Sequence, residues 1–148
     1  MNTRSPRIAL GTVETPSAWL RQLADTAVAA VHPDTLLSGR LPEPPRGRTL
    51  VVGAGKAAAA MAVALERAWQ THQPEAPLEG VVVTRHGHGP QGGQSECRCI
   101  EVLEASHPMP DGLSEQAARR MLEAVADLGE DDLVIALISG GGSALMTL

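Results

Sequence analysis

The segment Thr49-Leu-Val-Val-Gly-Ala-Gly-Lys-Ala-Ala58 joins a short apolar run to a glycine turn and then to an alanine-rich stretch. An apolar run of this length, bounded by glycine, is typical of a buried strand. The stretch after the turn places apolar residues at helical spacing, on one face formed by Ala58, Met61, Ala62, Leu65, Ala68 and Trp69. The segment therefore predicts a strand, a tight turn and a helix in direct succession.

Similar patterns follow along the chain. Short apolar runs predict strands at Gly80–Val83, Cys99–Leu103 and Leu133–Ile138. Asp111 can cap a helix whose predicted buried face is Leu113, Ala117, Met121, Ala124 and Leu128. Alternating strands and helices indicate an α/β fold, Rossmann-like, with a mostly parallel sheet and helices on both faces.

The two ends of the chain differ from this regular middle. Residues 1–14 lack periodicity, so we expect a loose N-terminus, followed by a helix that starts at Thr15-Pro16. After the last predicted strand and its glycine loop, only Ala144–Leu148 remain, little more than one helical turn. We therefore expect residues 15–148 to form an incomplete domain, the front part of a longer protein.

Composition excludes several classes of protein. The 148 residues are 43% hydrophobic and 20% charged, which is typical of a globular chain, and the net charge of −5 argues against a nucleic-acid partner. No apolar run approaches the roughly 20 residues that span a bilayer, and no signal peptide is recognisable. Two cysteines do not make a disulfide framework, so a cytoplasmic location is expected.

The glycine turn at Gly53, Gly55 and Lys56 is a candidate anion site. Glycines let a ligand approach the backbone, the N–H groups of a helix start attract anions, and Lys56, the sole lysine, adds a full positive charge. The turn also fits the dinucleotide pattern G-x-G-x-x-A, but the expected acidic residue after the second strand is missing, and Arg85 leaves only NADP open. A Walker A loop is not matched, and a plain tight turn with a solvated lysine is the structural alternative.

The stretch Ser139-Gly-Gly-Gly-Ser143 is more specific. Three successive glycines after a strand can form a nest of N–H donors, and two hydroxyls flank them. A structural turn needs only one glycine, so we predict anion binding here. The serine-nucleophile pattern G-x-S-x-G is not matched.

Histidines in two loops are further candidates. His107 lies in a loop held by two prolines and can act as a general base, a phosphate donor or a structural hydrogen-bonding group. The nearby Asp111 has a structural role available as a helix cap. The set His86, His88, Cys97 and Cys99 lacks the spacing of a zinc site, so no metal ligand is predicted.

These motifs, taken in order, resemble the N-terminal region of the glycerate 2-kinase family, whose members are often labelled hydroxypyruvate reductases. The resemblance runs from the Thr15 helix to Leu148 and rests on Val-Val-Gly-Ala-Gly-Lys-Ala, Val-Val-Thr-Arg-His-Gly-His-Gly, Ile-Glu-Val-Leu-Glu-Ala-Ser-His-Pro-Met-Pro-Asp and Leu-Ile-Ser-Gly-Gly-Gly-Ser-Ala-Leu. It implies a kinase that uses ATP and Mg2+ to phosphorylate the 2-hydroxyl of D-glycerate. It also implies a Rossmann-like N-terminal domain facing a separate C-terminal domain across the active site.

The resemblance assigns roles residue by residue. Lys56 falls on the family's active-site lysine, Ser139–Ser143 on its glycine-rich anion loop, and His107 on its His-Pro turn. The candidate catalytic residues are therefore Lys56 and His107, and the candidate phosphate- or substrate-binding residues are Gly53, Gly55, Ser139, Gly140, Gly141, Gly142 and Ser143.

The chain departs from the family at several points. His86 stands where an aromatic residue is expected, and the stretch from Pro90 to Cys99 is looser. The family's second domain, with an arginine used opposite the lysine, is absent. We therefore expect this chain alone to bind phosphate without catalysis. The alternatives are an NADP-dependent hydroxypyruvate reductase and a non-catalytic anion-binding remnant.

Overall fold

The computed structural model describes residues 15–90 and 96–148. The chain divides into two compact units, Met1–His32 and Pro33–Leu148. Residues 1–14, predicted to be loose, lie outside the described residues. That expectation, and the expectation of one domain from residue 15, remain predictions.

The described part of the first unit is helix α1, Pro16–Ala30. Thr15 caps it, since its hydroxyl oxygen accepts a hydrogen bond from the Ala18 N–H at 3.2 Å, and Pro16 occupies the first helical turn. The predicted helix start is thus confirmed. No residue of α1 is buried, so its regularly spaced apolar side chains remain exposed.

The second unit contains the predicted alternation of strands and helices, plus one short helix that the sequence did not indicate. Its elements are α2 (Pro33–Leu37), β1 (Thr49–Ala54), α3 (Ala58–His72), β2 (Leu78–Arg85), β3 (Ile100–Ala105), α4 (Gly112–Val125) and β4 (Leu133–Ile138). Strand β1 extends past the predicted end at Val52 and takes in Gly53.

The four strands form one sheet in the order β3-β2-β1-β4, and every neighbouring pair is parallel. The predicted parallel α/β fold is therefore confirmed. All four strands end at the same edge of the sheet, where the ligand sites of open parallel sheets lie.

Helices cover both faces of this sheet. On one face, Ala62 and Leu65 of α3 pack with Val51 and Val82 of the sheet. On the other face, Met121 of α4 joins the second buried cluster, formed with Ala54, Val81, Val83, Ala105, Ala117 and Leu145. The alanine-rich composition of α3 lets that helix approach the strands closely.

The predicted buried face of α4 needs one correction. Leu113 is 43% exposed and Leu128 lies beyond the helix end, whereas Ser114 and Ala118 are buried. The stripe facing the sheet is therefore one residue out of step at its start, because the helix begins only at Gly112. Among the described residues, no helix has the length and apolarity required to cross a membrane.

Candidate functional site

The loops that follow the four strands meet at one edge of the sheet, as predicted. Backbone hydrogen bonds join them in pairs: the Lys56 N–H donates to the Gly140 carbonyl at 3.1 Å, and the His86 N–H donates to the Ala105 carbonyl at 3.1 Å. The Thr84 hydroxyl, fully buried at the end of β2, donates to the Lys56 carbonyl at 3.4 Å. The parallel sheet thus brings together segments separated by more than 80 residues.

Three predicted site residues converge at Gly141. Its φ is +87°, and a Cβ placed on it would lie 2.9 Å from Lys56 Nζ and 2.7 Å from His107 Nε2. Both nitrogen atoms therefore face the backbone of the glycine loop, where a larger residue would displace them. Lys56 is exposed and His107 is half-buried, so the cluster is open to a ligand from solvent.

The glycine loop also presents unused backbone donors. None of the hydrogen bonds among the described residues has the N–H of Gly140, Gly141, Gly142 or Ser143 as its donor. Unpaired amides beside a lysine and a histidine favour an oxyanion ligand. The arrangement is suited to a phosphoryl or carboxylate group.

The start of α3 is different from what the glycine pattern led us to expect. The N–H groups of four consecutive residues are already paired, with Val83, Gly140, Ser139 and Gly55 as acceptors for Gly55, Lys56, Ala57 and Ala58, respectively. These donors are therefore not free to hold an anion. Lys56 contributes its side chain to the site rather than an open backbone cradle.

Ser139, Gly53 and Gly55 have structural reasons for their identities. The Ser139 hydroxyl oxygen accepts the Ala57 N–H at 2.9 Å and so ties the glycine loop to α3. Gly55 has φ +135°, and a Cβ there would collide with the Ser139 hydroxyl. Gly53 lies inside β1, where a Cβ would come within 2.5 Å of the Leu137 carbonyl oxygen. Ligand contacts by these three residues rest on the sequence pattern alone.

A charged group lies beside the His107 loop. His86 Nδ1 is 3.8 Å from Glu104 Oε2, and His86 Nε2 is 3.6 Å from Asp111 Oδ2. Glu104 also accepts the N–H groups of Gly87 at 3.1 Å and Gly89 at 2.7 Å, and these two bonds lower its pKa. His86 therefore stands between two carboxylates and links the loop after β2 to the loop after β3.

Asp111 caps helix α4, as its structural interpretation predicted. Its carboxylate accepts the N–H groups of Leu113 and Ser114 at 3.0 Å, and the Ser114 hydroxyl accepts the Asp111 N–H. Desolvation raises the pKa of Asp111, but hydrogen bonds from Ser114 and Ser106 outweigh it and hold the pKa at about 2. The cap fixes the start of α4 four residues after His107.

Glu66 is a further site-supporting residue that the sequence analysis did not identify. It is buried on α3, 4% exposed, and its two oxygens accept the N–H groups of Arg98, Cys99 and Ile100 at 2.7, 3.0 and 3.3 Å. It therefore anchors the start of β3 to α3. A charged residue among the apolar positions of a predicted buried helix face was the available signal.

The two cysteines near this anchor are free, Cys97 half-buried and Cys99 exposed. Burial, followed by the charges of Glu66 and Cys99, raises the pKa of Cys97 to about 12. Cys97 is therefore an unreactive thiol. In the described ranges, no group of three or more His, Cys, Asp or Glu residues is placed to hold a metal ion.

The candidate site is an open surface on this chain. Two grooves, of about 770 and 610 Å³, lie elsewhere, and neither is lined by Lys56, His107 or residues 139–143. The first of these grooves lies at the opposite edge of the sheet, where β1, β2 and β3 begin. The residues at Gly141 therefore form one wall of a site rather than an enclosed cavity.

Comparison with known proteins places this wall in a larger molecule. A protein of Agrobacterium vitis named as a hydroxypyruvate reductase is 54% identical over 127 residues, which are 86% of this chain but 27% of that protein. The D-glycerate 2-kinase of Thermotoga maritima is 37% identical over 86% of this chain and 28% of its own length. The crystal structure of a glycerate kinase from Thermotoga maritima matches with a TM-score of 0.69 and 38% identity, over 86% of this chain and 30% of that one.

The chain thus spans less than a third of the length of these relatives, and the part matched is their N-terminal part. The solved structure has the same α/β fold, and the resemblance to the glycerate 2-kinase family is confirmed. The family described as "Domain of unknown function (DUF4147)" matches residues 19–148. With nearly the whole described chain inside that match, the protein belongs to the DUF4147 family, as the N-terminal region shared by proteins named glycerate 2-kinase.

Proposed function

We propose that this chain forms the N-terminal domain of a kinase that transfers the γ-phosphoryl group of ATP to the 2-hydroxyl of D-glycerate. The observation that carries the proposal is the convergence of Lys56 Nζ and His107 Nε2 on Gly141, within a loop whose amides are unpaired. The names of the relatives supply the reaction, and the geometry supplies a site with the required charge.

The chemistry of phosphoryl transfer fits these groups. The transferred group spreads negative charge over its oxygens, so catalysis depends on positioning and charge neutralisation. Lys56 would hold a phosphoryl or carboxylate oxygen by its ammonium group, and the amides of Gly140–Ser143 would hold a second oxygen. His107 would donate a hydrogen bond to the bound anion or accept the proton of the attacking hydroxyl.

Two parts of the reaction are assigned outside the described residues. Glu104 and Asp111 are the carboxylates nearest to His107, and both are engaged with backbone N–H groups, so we assign no Mg2+ ligand here. The open surface at Gly141 needs a second wall to exclude water during transfer. The C-terminal domain of the longer protein would supply both.

The reductase alternative has less support from the geometry. A dinucleotide pyrophosphate would need the amides at the start of α3, but those of Gly55, Lys56 and Ala57 are paired within the protein. The free donors lie in the loop after β4 instead. This arrangement favours binding of a single phosphoryl or carboxylate group.

The first test measures anion binding by this chain. Inorganic phosphate, ATP with Mg2+ and D-glycerate are titrated separately while the amide resonances of Gly140–Ser143 are followed by NMR. We expect Lys56→Met to weaken phosphate binding by about tenfold, equal to about 1.4 kcal/mol, because it removes the charge and keeps the length. Arg46→Met, at the opposite edge of the sheet, is the matched control and should bind normally. Equal affinities in both variants would remove Lys56 from the site.

The second test measures the reaction. Residues 1–148 are joined to the remaining part of the Agrobacterium vitis relative, and ADP release with D-glycerate is compared with NADPH oxidation on hydroxypyruvate. ADP release that Lys56→Met reduces by orders of magnitude supports the kinase. NADPH oxidation without ADP release would replace it by the reductase.

A further inference from the structure

Strand β4 lies at one edge of the sheet with only one face covered. Helix α3 packs against it on the side of Leu137, which is 2% exposed. On the other side, Val134 is 44% exposed, Ile138 is 62% exposed and Ala136 is also exposed. A parallel strand is normally buried on both faces, so these exposures are unusual for a run as apolar as Leu133–Ile138.

The exposed residues continue the face of the sheet that α4 covers. Ile138 pairs with Ala54 and Ala136 pairs with Val52, and side chains at paired positions of parallel strands point to the same face. Ala54 belongs to the buried cluster that includes Met121 of α4. We call Val52, Val134, Ala136 and Ile138 the β4 apolar face; α4 stops short of it and packs on β1, β2 and β3.

The outer edge of β4 is also unpaired. The strand pairs with β1 alone in the described sheet, and its six residues include no charge and no proline. Edge strands in soluble proteins usually carry such residues to prevent pairing with another strand. Their absence here indicates that the edge is an interface.

The path of the chain after β4 indicates what covers this surface. Leu145 is fully buried in the α4-side cluster, beside Ala54, so the chain has already returned to that face. The crossover from β3 to β4 places α4 on the same face, and right-handed crossovers that continue in one direction stay on one face. A helix that continued from Leu145 would therefore run over the β4 apolar face.

We propose that the β4 apolar face docks an amphipathic helix from the part of the family chain that follows the matched region, and that a parallel strand then pairs with the outer edge of β4. The relatives contain ample chain for this unit, since the matched region is 27% of the Agrobacterium vitis protein and 28% of the Thermotoga maritima kinase. The inference is independent of the proposed reaction, because it concerns the sheet and not the residues at Gly141.

The test extends residues 1–148 by the next 40 or so residues of the Agrobacterium vitis relative, enough for a helix and a strand. Hydrogen exchange of the β4 amides is measured with and without the extension, with the amides of Val81–Val83 in β2 as an internal reference. We expect exchange in β4 to slow at least tenfold on extension, while a control extension with lysines at its apolar helix positions leaves it unchanged. Equal β4 exchange with both extensions would overturn the proposal.

A variant tests the same contact from the other side. Because Ile138 is exposed, Ile138→Glu should leave the Tm of residues 1–148 nearly unchanged and should lower the Tm of the extended protein by several degrees. The same effect in both proteins contradicts docking at this face. Dimerisation of residues 1–148 that Ile138→Glu abolishes would assign the face to a second copy instead.

Discussion

The smallest feature that the candidate site depends on is a missing side chain. Gly141 allows Lys56 Nζ and His107 Nε2 to reach the backbone of the loop, and its φ of +87° is one that residues with a Cβ rarely adopt. A Cβ added at the neighbouring Gly140 would meet no atom within 4 Å. The two adjacent glycines therefore differ in what a side chain would disturb: one faces the site, and the other faces open space.

We expect Gly141→Ala to weaken phosphate binding by about tenfold and to destabilise the fold by about 1 kcal/mol, because the methyl group displaces both nitrogen atoms and strains the backbone. Phosphate titrations and urea unfolding measure the two effects. Gly140→Ala is the control and should alter neither. Equal behaviour of the two variants would mean that Gly141 does not position Lys56 and His107.

At the scale of elements, a buried carboxylate fixes the start of β3. Glu66 accepts three backbone N–H groups across the gap between α3 and β3, and Gln70 donates to it at 3.2 Å. A charged acceptor pairs strongly with several donors in a buried setting. This contact orders the strand whose far end leads into the His107 loop.

Glu66→Gln should destabilise the second unit by about 3 kcal/mol, because the amide nitrogen replaces one acceptor and faces backbone donors. Urea unfolding followed by circular dichroism gives the difference in free energy. Glu75→Gln, at an exposed position, is the matched control and should be neutral. A loss below about 0.5 kcal/mol, the size usual for a surface substitution, would contradict the anchoring role of Glu66.

At the scale of the whole molecule, carboxylates with lowered pKa values hold loops at both edges of the sheet. Glu104 and Asp111 lie at the edge with the candidate site, and Asp132 lies at the other, where N–H groups of Gly129 and Arg48 lower its pKa. Each of these groups binds fewer protons in the folded than in the unfolded chain at acidic pH. Their stabilisation is present above the unfolded pKa of about 4 and is lost as the pH falls through the folded values.

The free energy of unfolding should therefore be flat with respect to these groups from pH 7 to about pH 5 and should fall between about pH 4 and pH 2. Urea unfolding at a series of pH values measures this profile. Asp111→Asn, which retains a good helix cap without a titratable charge, should flatten part of the acid-sensitive limb, whereas Asp111→Ala should lower stability at pH 7 as well. An unchanged acid limb in Asp111→Asn would show that Asp111 does not contribute to it.

Local patterns were sufficient for most of the architecture. The glycine-bounded apolar runs, the alanine-rich helix face and the Thr15 and Asp111 caps each depend on residues close together in the chain, and all were confirmed. The parallel topology then follows from the alternation of strands and helices, and with it the meeting of the four loops at one edge. Lys56, His107 and the glycine loop could accordingly be selected together from the amino-acid sequence.

Contacts between distant segments could not be read in this way. The pairing of Ser139 with Ala57, which closes the start of α3 to anions, joins residues 82 positions apart. The anchoring of β3 by Glu66 and the exposure of Val134 and Ile138 likewise depend on which elements become neighbours. Hydrophobic periodicity reports which residues avoid water, but hydrogen-bond partners and uncovered faces are set by packing in three dimensions, and so they emerged only with the folded sheet.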